Sequence, residues 1–233
     1  MLILRGFFVM FQATIHLFDA MIPLCESHYG PDLLSMQRAY CYRQLPFLRM
    51  LAADLQIARH SGISDSARVI IGRSVMEALF RLAASIEDPQ TALDLIYTNV
   101  CEQLKGVANL RDASPQKYHP YSVEIIAAFD DELSQLNAIT TRPLRKRAYF
   151  NKLLTNKTLL EMLSTSYNSF SGIAHGDYTI LEICRKGGKF SANLDNEVIR
   201  CFCIAGAMAC DYFSLDKSFQ DSWQSIYRDL LTA

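Results

Sequence analysis

Apolar residues recur every three or four positions along most of the chain, which is the spacing of amphipathic helices. The apolar runs are separated by dipeptides that stop or open a helix. These dipeptides are Gly30-Pro31, Asp88-Pro89 and Ser114-Pro115. The pattern predicts an all-α protein, a single helical bundle of about seven to nine helices. Residues 178–193, YTILEICRKGGKFSAN, place β-branched and aromatic residues around a glycine pair, which predicts either a short hairpin or a loop.

The same breaks set the expected bounds of the helices. The predicted helices cover residues 7–28, 32–59, 66–86, 89–108, 115–136, 156–175, 194–213 and 217–231. Pro46 is expected to kink or split the second helix, because a proline has no N–H to donate and its ring clashes with an earlier carbonyl. Thr158 and Glu161 fit a capping box, which predicts a helix start there. We expect two parts, an N-terminal helix in residues 1–30 and a bundle domain in residues 31–233.

The chain begins with an apolar stretch, MLILRGFFVMFQATIHLFD. Polar residues interrupt it at Arg5, Gln12, Thr14, His16 and Asp19. The uninterrupted apolar run is too short to span a bilayer, and no small-residue cleavage site follows it. We interpret the stretch as an amphipathic helix of a soluble, cytoplasmic protein without membrane contact. An interfacial anchor is the alternative.

Amino-acid composition limits the kinds of protein that the chain can be. Hydrophobic residues make up 50% of the chain, so it can bury a core without disulfides. The formal net charge is −1, so any binding of nucleic acid has to come from a local basic patch. The chain has 7 cysteines, an odd number, without the spacing of a disulfide framework. Cys201, Cys203 and Cys210 are close in sequence, but no histidine pair accompanies them, so we expect small buried hydrophobes, no metal and no cofactor.

The third predicted helix carries charges on one stripe of an otherwise apolar surface. Arg73, Glu77 and Arg81 stand four residues apart. A helix that is apolar on most of its circumference is typical of the centre of a bundle. Its charges need partners, because an unpaired buried charge is costly. Two interpretations stay open: an ion pair at the edge of the core, or a polar seam that faces a functional site.

A second polar face lies on the helix that contains YNSFSGIAH. Tyr167, Ser171 and His175 recur every four residues, and Asn168 is beside them. Histidine titrates near neutral pH, which suits proton transfer. A histidine at a helix end also binds the last carbonyls and interacts well with the helix dipole. His175 is therefore either a proton carrier or a residue that closes the helix.

The segment RPLRKRAYFNKLLTNK, residues 142–157, contains basic residues, two interleaved aromatic residues and no acidic residue. Arg145, Lys146 and Arg147 are consecutive within it. Such a segment can contact a phosphate backbone. The alternative is a solvated face that is balanced by the acidic stretch FDDE at residues 129–132.

Two of these regions together resemble a family of helical proteins from bacteria and phages that is related to the HEPN superfamily. The resemblance is carried by RSVMEALFR, residues 73–81, and further along by RKRAYFNKLL and YNSFSGIAHG. It covers roughly residues 35–215. HEPN proteins are helical bundles that often dimerise, and many are metal-independent ribonucleases of toxin–antitoxin, abortive-infection and CRISPR systems. The resemblance therefore implies a homodimer that acts on RNA, with an antitoxin or another protein as a further partner.

The HEPN signature is an arginine, four to six residues and then a histidine at a helix end. His175 matches the histidine. The positions where the arginine is expected, residues 168–170, hold asparagine, serine and phenylalanine. The cation that stabilises the phosphate during RNA cleavage would then come from elsewhere, and Arg73 is the candidate. Glu77 would orient Arg73 or His175.

Two hypotheses from different classes follow. The first is a HEPN-like protein of a prokaryotic defence or toxin-type system that acts as a metal-independent ribonuclease. Its candidate catalytic residues are His175, Arg73 and Glu77, and its candidate binding residues are Tyr167, Asn168, Ser171, Arg145, Lys146 and Arg147. The second is a non-catalytic helical module that binds a protein or a nucleotide, in which these polar residues are structural.

Overall fold

Helices joined by short connections account for the described part of the chain. The computed structural model describes residues 2–26, 30–61, 65–113, 115–146, 154–175 and 194–232. The helices are α1 (Leu2–Cys25), α2 (Leu33–His60), α3 (Asp65–Glu87), α4 (Pro89–Ala113), α5 (Pro115–Ile139), α6 (Lys157–Met162), α7 (Asn168–His175), α8 (Leu194–Phe213) and α9 (Lys217–Thr232). A π-helical turn, Leu163–Tyr167, joins α6 to α7. With α6, this turn and α7 counted as one helix, the described residues form eight helices and no strand, which confirms the predicted all-α bundle.

Aspartate caps fix the starts of two helices. Asp32 precedes α2, and its Oδ1 accepts hydrogen bonds of 3.0 Å from the backbone N–H groups of Leu34 and Ser35. Asp88 precedes α4 and accepts a 3.0 Å hydrogen bond from the backbone N–H of Gln90. Both caps satisfy N–H groups that have no partner inside the helix.

Some sequence predictions need correction. The capping box at Thr158 and Glu161 is wrong, because α6 already begins at residue 157 and Asn156 caps it. The Asn156 Oδ1 accepts a 3.2 Å hydrogen bond from the backbone N–H of the third residue after it. α2 continues through Pro46, so the predicted split is wrong, whereas a kink there stays a prediction. The predicted hairpin or loop at residues 178–193 lies outside the described residues.

Aromatic side chains from α1, α8 and α9 form the centre of the main core. The ring centroid of Phe18 lies 5.0 Å from that of Trp223 and 6.1 Å from that of Phe202. All three side chains are fully buried. Aromatic rings contribute much of the apolar area that a core removes from water. α1 thus shares this core, and the division between residues 1–30 and residues 31–233 stays a prediction.

α1 also has a composition that membrane helices share. Among the described residues, the segment Gly6–Cys25 is long and apolar enough to cross a membrane, by length and composition only. The same segment places Phe11, Phe18 and Met21 in the core, where each is fully buried. A central helix of a bundle and a membrane helix are both apolar on most sides. The cytoplasmic location stays a prediction.

A second, smaller core lies between α4 and α5. Its buried members are Leu93, Ile96, Val100 and Leu136. Three residues from the start of α2 pack against it, Leu33, Met36 and Tyr40. α2 therefore extends from this smaller core into the main core.

The described cysteines with buried side chains act as small apolar residues, as the sequence predicts. They are Cys25, Cys41, Cys201, Cys203 and Cys210, and none of the five forms a disulfide. Burial raises the pKa of each of these thiols, to about 12 for Cys41 and Cys203. A thiol with a raised pKa is a poor nucleophile and a poor metal ligand. No three His, Cys, Asp or Glu side chains of the described residues are placed to hold a metal ion.

The contact between Gly206 and Trp223 generates a stability prediction. A Cβ atom on Gly206 would lie 2.1 Å from Trp223 Cε2, a fully buried ring that cannot move aside cheaply. We expect Gly206→Ala to lower the free energy of unfolding by about 1–3 kcal/mol through overpacking. Gly106→Ala is the matched control, because a Cβ atom there meets nothing within 4 Å.

The control substitution should raise the free energy of unfolding by about 0.5–1 kcal/mol, since alanine favours a helix over glycine. Urea unfolding followed by circular dichroism measures both variants. Equal effects of the two substitutions would contradict the close packing of α8 on α9.

Candidate functional site

α3 is the central helix of the bundle and packs against α2, α4, α7 and α8. Its large buried apolar side chains are Val69, Val75, Met76, Leu79, Phe80 and Leu82. Gly72 allows a close approach of α8, because a Cβ atom on it would lie 2.9 Å from Val198 Cγ2. Little of the surface of α3 is left for solvent. Its charged side chains therefore need partners within reach.

Arg73, Glu77, Arg81 and Tyr167 meet where α3 faces the π-helical turn, and we name this group the Glu77 cluster. Arg73 Nη2 lies 3.0 Å from Glu77 Oε1, and the Tyr167 hydroxyl donates a 2.9 Å hydrogen bond to the same oxygen. Arg81 Nη2 lies 4.0 Å from Glu77 Oε2. The guanidinium carbon of Arg73 is 5.8 Å from the centre of the Tyr167 ring. The fold thus unites residues that the sequence places on two separate polar faces.

The Glu77 cluster is neither sealed in the core nor fully exposed. The side chains of Arg73 and Glu77 are 24% and 25% exposed, and that of Arg81 is 44% exposed. The Tyr167 ring packs edge-on against Phe80 at a centroid distance of 5.7 Å. The predicted ion pair between Arg73 and Glu77 is present, and it lines a seam that solvent reaches. The interpretation that this seam faces a functional site stays a prediction.

Tyr167 occupies the last position of the π-helical turn Leu163–Tyr167. Such turns insert one extra residue into a helix and occur often at functional sites. Here the turn comes directly before α7, which runs from Asn168 to His175. The hydrogen bond from Tyr167 to Glu77 thus lies directly before the first residue of α7.

The Glu77 cluster also shifts the protonation of its members. Burial, with a further contribution from the Glu77 carboxylate, raises the pKa of Tyr167 above its usual range. Burial opposes the charged form of Arg73, but the bonds to Tyr167 and Glu77 outweigh it and raise the pKa of Arg73. At neutral pH, Tyr167 is a hydrogen-bond donor and Arg73 is a cation. Tyr167 is therefore not a general base in this state.

The other predicted residues of α7 differ in their surroundings. Asn168 is exposed, and its Nδ2 donates a 3.3 Å hydrogen bond to the backbone carbonyl of Ser164 in the π-helical turn. Ser171 is half-buried on α7. His175 is the last residue of α7, and its side chain lies outside the described part of the molecule. Its role as a proton carrier stays a prediction.

The first residues of the basic segment are bound to α4. Arg142 Nη2 lies 2.7 Å from Asp88 Oδ2 and 3.9 Å from Asp94 Oδ2. Asp94 is fully buried and accepts a 3.0 Å hydrogen bond from the backbone N–H of Arg145. These contacts attach the connection after α5 to the side of α4. Part of the positive charge of the segment is thereby neutralised.

Lys146 continues this pattern, since its Nζ lies 3.6 Å from Glu102 Oε1 of α4. The acidic partners of the Arg142 and Lys146 side chains thus lie on α4 and at its cap residue, Asp88. Whether residues 129–132 balance the rest of the segment stays a prediction. Arg147 and the rest of residues 147–153 lie outside the described residues, so the binding role of Arg147 stays a prediction.

Sequence reasoning missed an ion-pair group that joins three helices. Asp195, at the start of α8, is 5% exposed in its side chain and contacts Arg59 of α2 and Arg68 of α3. Burial, together with the charge of Arg68, lowers the pKa of Arg59. A buried carboxylate between two guanidinium groups fixes the relative positions of its helices. The only signal in the sequence was an acidic residue in the first turn of a helix, which is common.

Comparison of the chain with protein-family models, with curated proteins and with solved structures found no match. The resemblance to the HEPN superfamily therefore stays a prediction, which rests on the motifs RSVMEALFR, RKRAYFNKLL and YNSFSGIAHG.

The hydroxyl of Tyr167 gives a direct test of the Glu77 cluster. Tyr167→Phe removes a hydrogen bond to a carboxylate and leaves the ring in place. We expect the free energy of unfolding to fall by about 1–2 kcal/mol, because a bond to a charged acceptor is stronger than a neutral one. Tyr227→Phe is the matched control, since no described residue hydrogen-bonds the hydroxyl of Tyr227, which is half-buried on α9.

Thermal or urea unfolding of both variants at neutral pH supplies the measurement. The control should lie within about 0.5 kcal/mol of the native chain. If Tyr167→Phe is as mild as the control, the hydroxyl contributes nothing to the seam between α3 and α7.

Proposed function

We propose that the chain is a HEPN-like protein of a prokaryotic defence or toxin-type system, which binds RNA at the Glu77 cluster and cleaves it without a metal ion. The observation that carries the proposal is the meeting of Arg73, Glu77 and Tyr167 beside α7, the helix that ends at His175. A cation, a carboxylate and a hydroxyl at a solvent-reached seam are suitable partners for a phosphate.

Arg73 is the proposed phosphate-binding group. A guanidinium presents a planar fork of N–H donors that matches two phosphate oxygens. In the structure, Glu77 engages this fork at 3.0 Å, so a phosphate has to exchange with the carboxylate. Arg81, 4.0 Å from the other Glu77 oxygen, can hold Glu77 during that exchange. Two arginines on one carboxylate leave the local balance positive, which favours an anion.

The proposed reaction is attack of the ribose 2′-oxygen on the adjacent phosphorus. A base removes the 2′-hydroxyl proton, the bond from phosphorus to the 5′-oxygen breaks, and an acid supplies a proton to that leaving oxygen. The products are a 2′,3′-cyclic phosphate and a 5′-hydroxyl. His175 is the proposed proton carrier, Arg73 stabilises the charge on the pentacoordinate phosphorus, and Glu77 orients one of them. No step needs a metal ion.

The basic segment is the weaker candidate for RNA contact. Arg142 and Lys146 face acidic residues of α4, which reduces the local positive field. Arg145 and Lys146 are nevertheless exposed and can extend a phosphate track that begins elsewhere. We therefore place the principal phosphate contact at Arg73.

A second candidate function is a non-catalytic helical module that binds a protein or a nucleotide. One observation favours it: Glu77 accepts the Tyr167 hydroxyl and pairs with Arg73, so partners from the same chain already engage the carboxylate. Such a network stabilises a seam between helices even when no reaction occurs there.

The test is cleavage of a labelled RNA in the presence of a chelator, with the 3′ ends of the products identified. We expect the native chain to leave 2′,3′-cyclic phosphates. His175→Ala should lower the rate by about 100-fold or more, the usual contribution of a general acid or base. His60→Ala is the matched control, because His60 also ends a helix, α2, and is exposed. It should leave the rate unchanged.

Binding is measured separately by fluorescence anisotropy with RNA that lacks the reactive 2′-hydroxyl. Arg73→Met should weaken binding by about tenfold, whereas His175→Ala should bind normally. A native chain that neither cleaves nor binds RNA, alone or with a co-expressed partner protein, would contradict the ribonuclease and favour the binding module.

A further inference from the structure

α2 exposes apolar side chains along a single line. Phe47, Met50 and Ile57 are 41%, 47% and 61% exposed. The charged residues Arg43 and Asp54 are exposed on the same line. At 100° per residue, these five positions fall within an arc of about 80° at the middle of the outward face. We name them the α2 stripe.

The spacing of the α2 stripe is that of a helix-packing seam. From Arg43 to Ile57 the steps alternate between four and three residues, as the core positions of a coiled coil do. Continued backwards, the same spacing reaches Tyr40 and Met36, which pack against the smaller core between α4 and α5. The stripe thus continues a seam that other helices of the same chain cover in its first part.

α1 does not cover this face, because it contacts α2 along a different edge. Asp19 Oδ1 accepts a 2.8 Å hydrogen bond from Arg49 Nε, and Gln12 accepts one of 2.7 Å from Gln56. Arg49 and Gln56 flank the stripe and do not belong to it. The two hydrogen bonds hold α1 against this other edge of α2, so the α2 stripe faces outward.

We propose that a second copy of this chain covers the α2 stripe, with the two α2 helices antiparallel about a two-fold axis between Phe47 and Met50. In that register Phe47 lies opposite Met50 of the partner subunit. Arg43 then lies opposite Asp54 of the partner subunit, and the two-fold axis makes this ion pair twice.

The charges of the α2 stripe favour the antiparallel orientation of the two helices and a second copy of the chain as the partner. In a parallel pair each residue faces its own copy, which sets Arg43 against arginine and Asp54 against aspartate. Neither residue forms an ion pair with another described residue of its own chain, so both charges are available to a partner. A self-complementary row of charges on an apolar seam fits a two-fold partner with the same sequence. The inference does not depend on the proposed ribonuclease activity.

Sedimentation equilibrium of single and mixed variants tests the proposal. The native chain should sediment at twice 26.4 kDa. Arg43→Asp sets aspartate against Asp54 of the partner subunit, and Asp54→Arg sets arginine against Arg43 of the partner subunit. Each variant alone should weaken the dimer by about tenfold or more. An equimolar mixture of the two should restore it, because both ion pairs then re-form in the heterodimer.

Arg228→Asp and Asp229→Arg are the matched controls, since both residues are exposed on α9 away from the stripe. They should change nothing, alone or mixed, and circular dichroism confirms that every variant is folded. A native chain that stays at 26.4 kDa up to about 100 µM would overturn the proposal. Binding of such a monomer to lipid vesicles or to another protein would assign the α2 stripe to that other partner. A dimer of unchanged affinity in both Arg43→Asp and Asp54→Arg would also overturn it. So would an equimolar mixture of these two variants that stays monomeric.

Discussion

The burial of α3 is the constraint on which the rest of the structure depends. Four helices pack around it, and Gly72 lets α8 approach closely. A charged side chain on such a helix is stable only with a partner, because the interior does not solvate it. Arg68 therefore engages Asp195 of α8, and Arg73 engages Glu77 and Tyr167. These pairs hold α7 and α8 in position, so the polar residues are part of the packing and also form the candidate site.

The helices themselves could be predicted because helical periodicity is a local property of the sequence. The start of α4 at Asp88-Pro89 could also be predicted, since a cap needs only the residues that follow it. The predicted end of the fourth helix at residue 108 was too early, because α4 continues to Ala113 through residues that are mostly exposed. The last turns of an exposed helix carry no apolar pattern, so the residue at which such a helix ends is difficult to predict from sequence.

The candidate site could be predicted only in part, because sequence patterns show local spacing and not contacts between distant helices. Spacing placed Arg73 and Glu77 on one stripe and Tyr167 on another, but it did not show that the two stripes meet. The contact of Asp195 with Arg59 and Arg68 joins residues far apart in the chain, which no local pattern encodes. The contacts of the basic segment with Asp88, Asp94 and Glu102 were likewise not foreseen, because these residues are more than 40 positions away in the chain. Long-range electrostatic pairing is a property of the fold.

The central claim is that His175 and the Glu77 cluster belong to one site. NMR titration of the histidine ring protons, in the native chain and in Glu77→Gln, tests it most directly. If the two are neighbours, the carboxylate favours the charged imidazole, and its removal should lower the titration midpoint of His175 by about half a pH unit or more. The midpoint of His60, at the end of α2, should stay the same. An unchanged midpoint for His175 would contradict a shared site.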